Sequence, residues 1–493
     1  MTLVAGIQHI RDGVENQSVL GADMSIVGIV GTADDADATA FPLNTEVYLN
    51  TADTTLRAKL GATGTIPQGI DLMTAQFQGT GAAKVVVVRV AHDDDAFTVI
   101  QSIVGNEASR TGMWALLDAP SNLGLTPRLI MVPGYTSQSQ NGVGSITIGD
   151  GGADYVVGDA IAGTGGDGSG FSATVATVDG SGAILTVDIT PGTGYTSAPT
   201  LAVTSDAGSG ASLTAVLEQL ANPVCATLPT ILDRLKAHCP PEGPTSTRQA
   251  WLDWRETLPE TSRFLHPLRQ DAKVSVSGSA VTRPLSPAVI GAYISRDAQN
   301  GGIPGKSAAN QSLYGIVGVT PVIPFSIIDG NSEGQLDLEQ NAGIVVKGDI
   351  GVDGALSDSG FVFWGTDTLS PDSAYLFAHV CRLRDYMELL QIKAERYYLG
   401  RHNITIQVVE AILNTLKSQL AELKADGFIL DYRVKFEPDR NLPSELRQGN
   451  IDITFYAEEP PVLRKIIIRS RRYEEALSLL VQQISTALDA QIQ

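Results

Sequence analysis

At 493 residues and 43% hydrophobic content the chain is long enough to bury several cores, roughly two to four domains by length. Its 34 Lys and Arg stand against 54 Asp and Glu, a formal charge of -20 that argues against wrapping DNA or an anionic membrane and leaves protein as the expected partner. No stretch is long and apolar enough to span a bilayer, and the opening MTLVAGIQHIRDGVE lacks the basic start and unbroken apolar run of a signal peptide, so a soluble product of the cytoplasm is expected.

Residues 1–22 read as an extended arm, with Leu3, Val4, Ile7 and Ile10 spaced among polar residues and glycines, too small to bury much alone. Residues 23–136 read as the first part of an α/β domain. Its buried strands are Ser25–Val30, Val85–Val90 and Arg128–Val132, with helices predicted over 68–77 and 97–105. From 137 to 217 the composition shifts to Gly, Ser, Thr, Ala, Asp and Val with no Lys or Arg. There Gly168–Val175 is echoed by Gly208–Val216 around a Pro191-Gly192 turn, which predicts an inserted all-β domain with an internal duplication.

The α/β domain resumes over 218–365, with helices predicted over 228–238 and 285–297 and a strand at Phe361–Trp364. An α+β domain is expected over 366–459. A long helix is predicted over 372–398, and an amphipathic one carries Val409, Ile412, Leu413, Leu416, Leu420 and Leu423 on one face before Gly427. The period then changes to two. Leu430, Tyr432, Val434 and Phe436 alternate with charges, as do Ile451, Ile453 and Phe455 with Asp452, Thr454 and Tyr456, the pattern of half-buried antiparallel strands. Residues 460–493 hold a strand-like stretch, Val462–Arg472, and a last helix with Leu477, Leu480, Val481, Ile484 and Leu488 along one side.

The search for chemistry comes back empty. Gly301–Ser307 (GGIPGKS) imitates a phosphate loop, but the spacing requires glycine at Asn300. No HExxH, GxSxG or CxxC occurs, and the six histidines are scattered. Asp34, Asp35 and Asp37, like Asp93, Asp94 and Asp95, read as solvated loop acids. No catalytic, cofactor-binding or metal-ligating residue is expected, and the chain is not read as an enzyme.

Five stretches in order resemble the tail sheath proteins of contractile-tailed phages: Ser25–Asn44 (SIVGIVGTADDADATAFPLN), Thr126–Gly134 (TPRLIMVPG), Ser359–Pro371 (SGFVFWGTDTLSP), Leu423–Val434 (LKADGFILDYRV) and Leu446–Pro461 (LRQGNIDITFYAEEPP). The 137–217 segment lies outside the resemblance. What it implies is a mixed α/β, multidomain sheath core whose terminal arms are exchanged between subunits. In that family, six-membered rings stack helically around a tail tube and contract to drive it through the host envelope. The implied partners are other sheath subunits, the tube protein, and baseplate and terminator proteins. The implied location is the virion tail, with no direct nucleic-acid contact and no membrane insertion. The 366–459 domain would face the tube.

Strand exchange on this reading would use Ile7 and Ile10 of the arm, Ile451, Ile453 and Phe455 of a receiving sheet, and Ile466 and Ile468 of an exchanged strand, unless these fill the subunit's own core. Arg464, Lys465, Arg469, Arg471 and Arg472 form the one dense basic run. They either face an acidic tube or protect a strand edge, with Glu474 and Glu475 as local partners. Cys225 and Cys239 bracket a predicted helix whose span of about 20 Å forbids a bridge between them. A disulfide would then involve Cys381 or another subunit, against the plainer reading of three buried thiols. A bacteriocin-like injection sheath shares the resemblance. A carbohydrate-binding protein built on the Gly-rich segment is the alternative of another class, though only Tyr155, Phe171 and Tyr195 supply aromatics there.

Overall fold

The computed structural model describes residues 21–79, 81–260, 262–347 and 360–492. It divides into two units, Met1–Pro460 and Pro461–Gln493.

The first unit is built on a four-stranded sheet in the order β2-β3-β1-β4, from β1 (Val27–Gly31), β2 (Glu46–Asn50), β3 (Lys84–Arg89) and β4 (Leu129–Met131). β1 runs parallel to both β3 and β4, and β2 closes one edge antiparallel to β3. A strand paired on both sides and covered on both faces has to be apolar at every position, which is why VGIVG and VVVV read as unbroken runs. Alternate residues feed opposite cores. Val30, Val86, Val88 and Ile130 enter one, and Ile29, Val85, Val87 and Met131 the other. Among the helices of this stretch, α1 (Thr54–Lys59), α2 (Thr65–Ala75), α3 (Ala96–Val104) and the short α4 (Ala119–Asn122), α2 packs on the second core and α3 on the first.

Residues 140–220 form a separate antiparallel sheet of six strands: β5 (Gln140–Asp150), β6 (Ala160–Thr164), β7 (Ser169–Val178), β8 (Ile184–Thr193), β9 (Thr200–Thr204) and β10 (Ser212–Leu220). Their order, β5-β10-β9-β6-β7-β8, becomes its own reverse when β5 is exchanged with β8, β6 with β9 and β7 with β10. The sheet therefore has a pseudo-twofold axis. It passes through the Ala162–Ala202 pair, flanked by Ile161–Val203 on one side and Gly163–Leu201 on the other. The two tyrosines obey it: Tyr155 fills the space a Cβ on Gly208 would need, and Tyr195 that of Gly168. Both glycines are therefore fixed by close approach of a ring from the other repeat. The first and last strands also meet, through Ile184 N–H to Gly151 O (2.9 Å) and Tyr195 N–H to Asn141 O (3.2 Å).

The stem of this sheet is tied into the main core. Asn222 Nδ2 donates to Tyr135 O (3.1 Å) and Gln138 O (2.8 Å), and Trp254 Nε1 donates to Thr136 O (2.9 Å). The chain then completes the body with α5 (Pro223–Leu235), α6 (Arg248–Glu256), the hairpin β11 (Asp271–Val276) and β12 (Ser279–Arg283), and α7 (Ser286–Ala298). Short strands β13 (Gln311–Ser312), β14 (Gly318–Thr320), β15 (Ile344–Val346) and β16 (Val362–Trp364) and helix α8 (Glu333–Leu338) fill in behind.

A smaller layer follows, made of α9 (Ala378–Glu395), α10 (Ile406–Ala425) and a two-stranded antiparallel sheet of β17 (Asp431–Phe436) and β18 (Ile453–Glu458), with the short α11 (Pro443–Arg447) between the strands. Its core joins Leu383, Met387 and Leu390 of α9 to Leu420 and Leu423 of α10. The second unit has no helix or strand from 461 to 473, then α12 (Glu475–Ile492).

Candidate assembly interface

β17 and β18 form because their side chains alternate between the α10 face and solvent. Tyr432, Val434, Phe455 and Ala457 turn to the core, while Arg433, Lys435 and Tyr456 turn out. Leu430 N–H donates to Glu458 O (2.7 Å), and Arg384 Nη2 takes the oppositely directed Ala457 O (2.7 Å). By strand alternation, the backbone groups of Ile453 and Phe455 point away from β17, and those of Tyr432, Val434 and Phe436 point away from β18. Among the described residues no further strand lies beyond either edge. Two open ladders therefore flank one small sheet, beside a groove of roughly 670 Å³ lined by Arg384, Arg433, Lys435, Phe455 and Tyr456.

Both ends of the first unit are fastened to α9. At the N-terminal side, Ala22 and Met24 enter the core of α9 and α10, and Lys393 Nζ donates to Gly21 O (2.9 Å). Gly21 lies so close to the Tyr386 hydroxyl that a Cβ would collide with it. Asp23 pairs with Lys84 at the start of β3 (2.7 Å). Burial alone would raise its carboxyl pKa, but Lys84 and Ser25 outweigh that and hold it below the usual range. At the C-terminal side, the buried Glu459 carboxylate meets Arg384 (2.7 Å) and Pro460 O accepts from His379 Nε2 (3.2 Å).

The sequence-predicted residues fall as follows. Ile7 and Ile10 lie outside the described residues. Ile453 and Phe455 stand in β18, but Ile451 does not. The ladder ends with Phe436, because Glu437-Pro438 turns the partner chain away and Asn441 clasps the Asp452 backbone (2.8 Å to each of its N–H and C=O). Ile466 and Ile468, expected in a strand, have no strand partner among the described residues and are 70% and 86% exposed. Arg464, Lys465, Arg469, Arg471 and Arg472 occupy the same exposed segment.

The three cysteines are free and buried, which leaves no thiol at the surface for an inter-subunit disulfide. Helix α5 stops at Leu235, where Lys236 adopts a left-handed conformation (φ 46°), and the chain doubles back so that both thiols, Cys225 and Cys239, sit in one apolar core. Burial holds both well above the ordinary thiol range and pushes Cys381 up to about 12.

Sequence reasoning missed the polar side of α9. Arg382, Asp385 and Glu388 recur every three residues along α9, the signal that could have marked a second buried stripe.

The chain is similar to known sheath proteins. It is 36% identical over 137 residues to the major tail sheath protein of Serratia phage KSP20, a stretch spanning 26% of this chain and 34% of that one. It is 21% identical over 490 residues to the tail sheath protein of Escherichia phage P2, covering 98% of each. The contracted helical sheath of the anti-feeding prophage superposes over 96% of this chain and all of its own, with a TM-score of 0.55 at 14% identity. No family model matches. The resemblance to contractile tail sheath proteins read from the sequence is borne out, and the fold is that of a sheath subunit.

Proposed function

We propose that this chain polymerises helically around a tail tube and contracts to drive the tube through a host envelope during genome ejection. The observation that carries the reading is the placement of Gly21 and Pro460. Both are held by one helix, α9, beside a two-stranded sheet with two open edges among the described residues, in a chain with the sheath fold. Each edge accepts one strand, so residues 1–22 of one neighbour and 460–493 of another complete a four-stranded sheet. Ile7, Ile10, Ile466 and Ile468 supply the incoming side chains. A contact that never closes on itself yields a helical filament rather than a ring, and six-membered rings stack along it.

The domain of residues 366–459 faces the tube, and baseplate and terminator proteins cap the array, placing the protein in the virion tail. The basic run from Arg464 to Arg472 meets an acidic tube surface on this reading. The 140–220 sheet is an insertion carried on the outside, where it clears the tube. The same geometry serves an injection particle that carries no genome, and neighbouring capsid and terminase genes separate the two.

The test is negative-stain electron microscopy of the purified protein with its tube protein. Striated tubes are expected from the full chain, and short or no polymer from a chain lacking residues 1–20. A protein that stays a small uniform particle in both cases ends the proposal.

A further inference from the structure

The polar stripe on α9 belongs to a closed ring. Arg382 pairs with Asp297 of α7 (2.5 Å), both nearly inaccessible at 3% and 2% exposure, and its guanidinium lies 5.1 Å from the centre of the Tyr293 ring on the same helix. Tyr293 O–H is 3.2 Å from His266 Nδ1, His266 Nε2 is 3.3 Å from His238 Nδ1, and His238 Nε2 is 2.9 Å from Asp385 on α9 again. Asp385, the carboxylate at the end of the relay, can only accept, and this sets every proton. His238 donates from Nε2 to Asp385, His266 donates from Nε2 to His238, and Tyr293 donates to His266, so both imidazoles are neutral. Arg263 adds a second bond to Asp385 (3.3 Å), and Glu388 pairs with Lys236. His238 in turn bonds through its backbone to Arg128 O (3.0 Å) and Ile130 N–H (2.9 Å), the edge of β4.

The ring thus joins α9 to the central sheet, and α9 also holds the root of the C-terminal segment at Glu459 and Pro460, whereas the N-terminal segment runs on into β1. Apolar packing between helices repeats every turn, so a helix under axial load can slip by about 5.4 Å and find similar contacts again. Directional bonds at Arg382 and Asp385 have a single register, the use for which buried ion pairs are best attested.

We propose that the ring of Arg382, Tyr293, His266, His238 and Asp385, with Asp297, is a registration key that locks α9 at one axial position, so that tension on the C-terminal segment, rooted on α9 through Glu459 and Pro460, is delivered to the central sheet. The source of tension rests on the sheath reading; the locking does not, because it is a property of the single chain.

The test is force spectroscopy on the full-length chain, pulled between a handle at the exposed Leu399, just past the end of α9, and a handle in the exposed loop at Glu107. The wild type is expected to hold α9 in place until the body itself unfolds, giving one event. Arg382→Met/Asp297→Leu, which keeps the volume but removes the direction, is expected to release α9 in a separate event at no more than half that force. Leu383→Ala, which loosens the apolar side of α9 and costs at least as much thermal stability as the double variant, serves as the control and is expected to keep the single event. Should the double variant not fold, Asp385→Asn, which retains a hydrogen-bond acceptor for His238, takes its place with the same expectation. An early release in the wild type, or equal weakening by Leu383→Ala, overturns the proposal. Polymer formation by electron microscopy is scored separately, so a chain that holds its key but forms no sheath refutes only the function.

Discussion

The six-stranded sheet of 140–220 and the joint around α9 solve the same problem, fastening parts of one chain together, by opposite means. The sheet uses repetition. Small residues, backbone ladders and two tyrosines related by a pseudo-twofold axis hold it, and its interior contains no buried charge. The joint uses no repetition. It buries Arg382, Asp297, Asp385 and His238 in one arrangement, each needing its particular partner from another helix or loop. The sheet is therefore tolerant and self-contained, and the joint is exacting and shared.

The sharpest way to break this contrast is to remove half of a buried pair. Arg382→Met strands the Asp297 carboxylate, which burial already pushes upward against the pull of Arg382. A loss of about 3–5 kcal/mol is expected by denaturant titration. Adding Asp297→Leu should return most of it, since an apolar pair of similar volume is often no less stable.

In the sheet the corresponding experiment is symmetric. Tyr155→Ala and Tyr195→Ala each empty a cradle over a glycine, Gly208 and Gly168 respectively, and each should cost about 2–4 kcal/mol of the sheet's own stability. Hydrogen exchange confined to 140–220 measures both. Equal losses support the twofold relation, and a loss at one tyrosine alone contradicts it.

Acid separates the two regions without mutation. Burial lowers the pKa of His238, against the opposing pull of Asp385, and lowers those of His266 and His379 as well. Each imidazole binds its proton more readily in the unfolded chain. The stability it contributes is full above about pH 6.5 and is lost as pH falls toward the depressed folded value. Asp385 follows lower down. Burial works to raise it, but His238, Arg263 and Lys236 together keep it below the ordinary carboxylate range, so its contribution fades only below about pH 3.8. Arg382 also faces the pair, as does Tyr293, whose hydroxyl burial pushes well up and keeps protonated throughout this range. Thermal melts between pH 7 and pH 5 should therefore move the body transition, the histidines lowering it and Asp271, which burial pushes up to about 7, working against them. The 140–220 sheet contains no histidine and should melt unchanged.

The same contrast explains what the sequence disclosed. The central strands were legible because full burial forces continuous apolar runs, and β17 and β18 because half burial forces alternation. The twofold sheet was half legible: the echo of Gly168–Val175 in Gly208–Val216 marked β7 and β10, but the pairing of Tyr155 with Gly208 needed the fold. The joint was illegible. Arg382 and Asp385 lie in the helix predicted over 372–398, and nothing local ties them to Asp297 or His238, which lie 85 and 147 positions away. Edge strands such as the one expected at Ile466 are a third case, since their partner belongs to another chain on the proposed reading.

The smallest expected effect comes from removing the sheet altogether. Its two stems already touch, with Gln138 O 2.8 Å from Asn222 Nδ2, so a short glycine link can replace residues 140–220 without moving either. The anchors that matter to the body, Trp254 on Thr136 and Asn222 on Tyr135, stay in place. The core residues behind them, Cys225 and Leu228 of α5 among them, pack with α3 in a core that takes no residue from the sheet. Shortening a connection changes loop-closure entropy only by about (3/2)RT ln of the length ratio, about 3 kcal/mol for a link of a few residues. The body's melting transition should therefore move by no more than a few degrees, measured by calorimetry on the excised and full chains. A large drop would mean that the sheet buttresses the body, and that repetition and registration are not separable in this molecule.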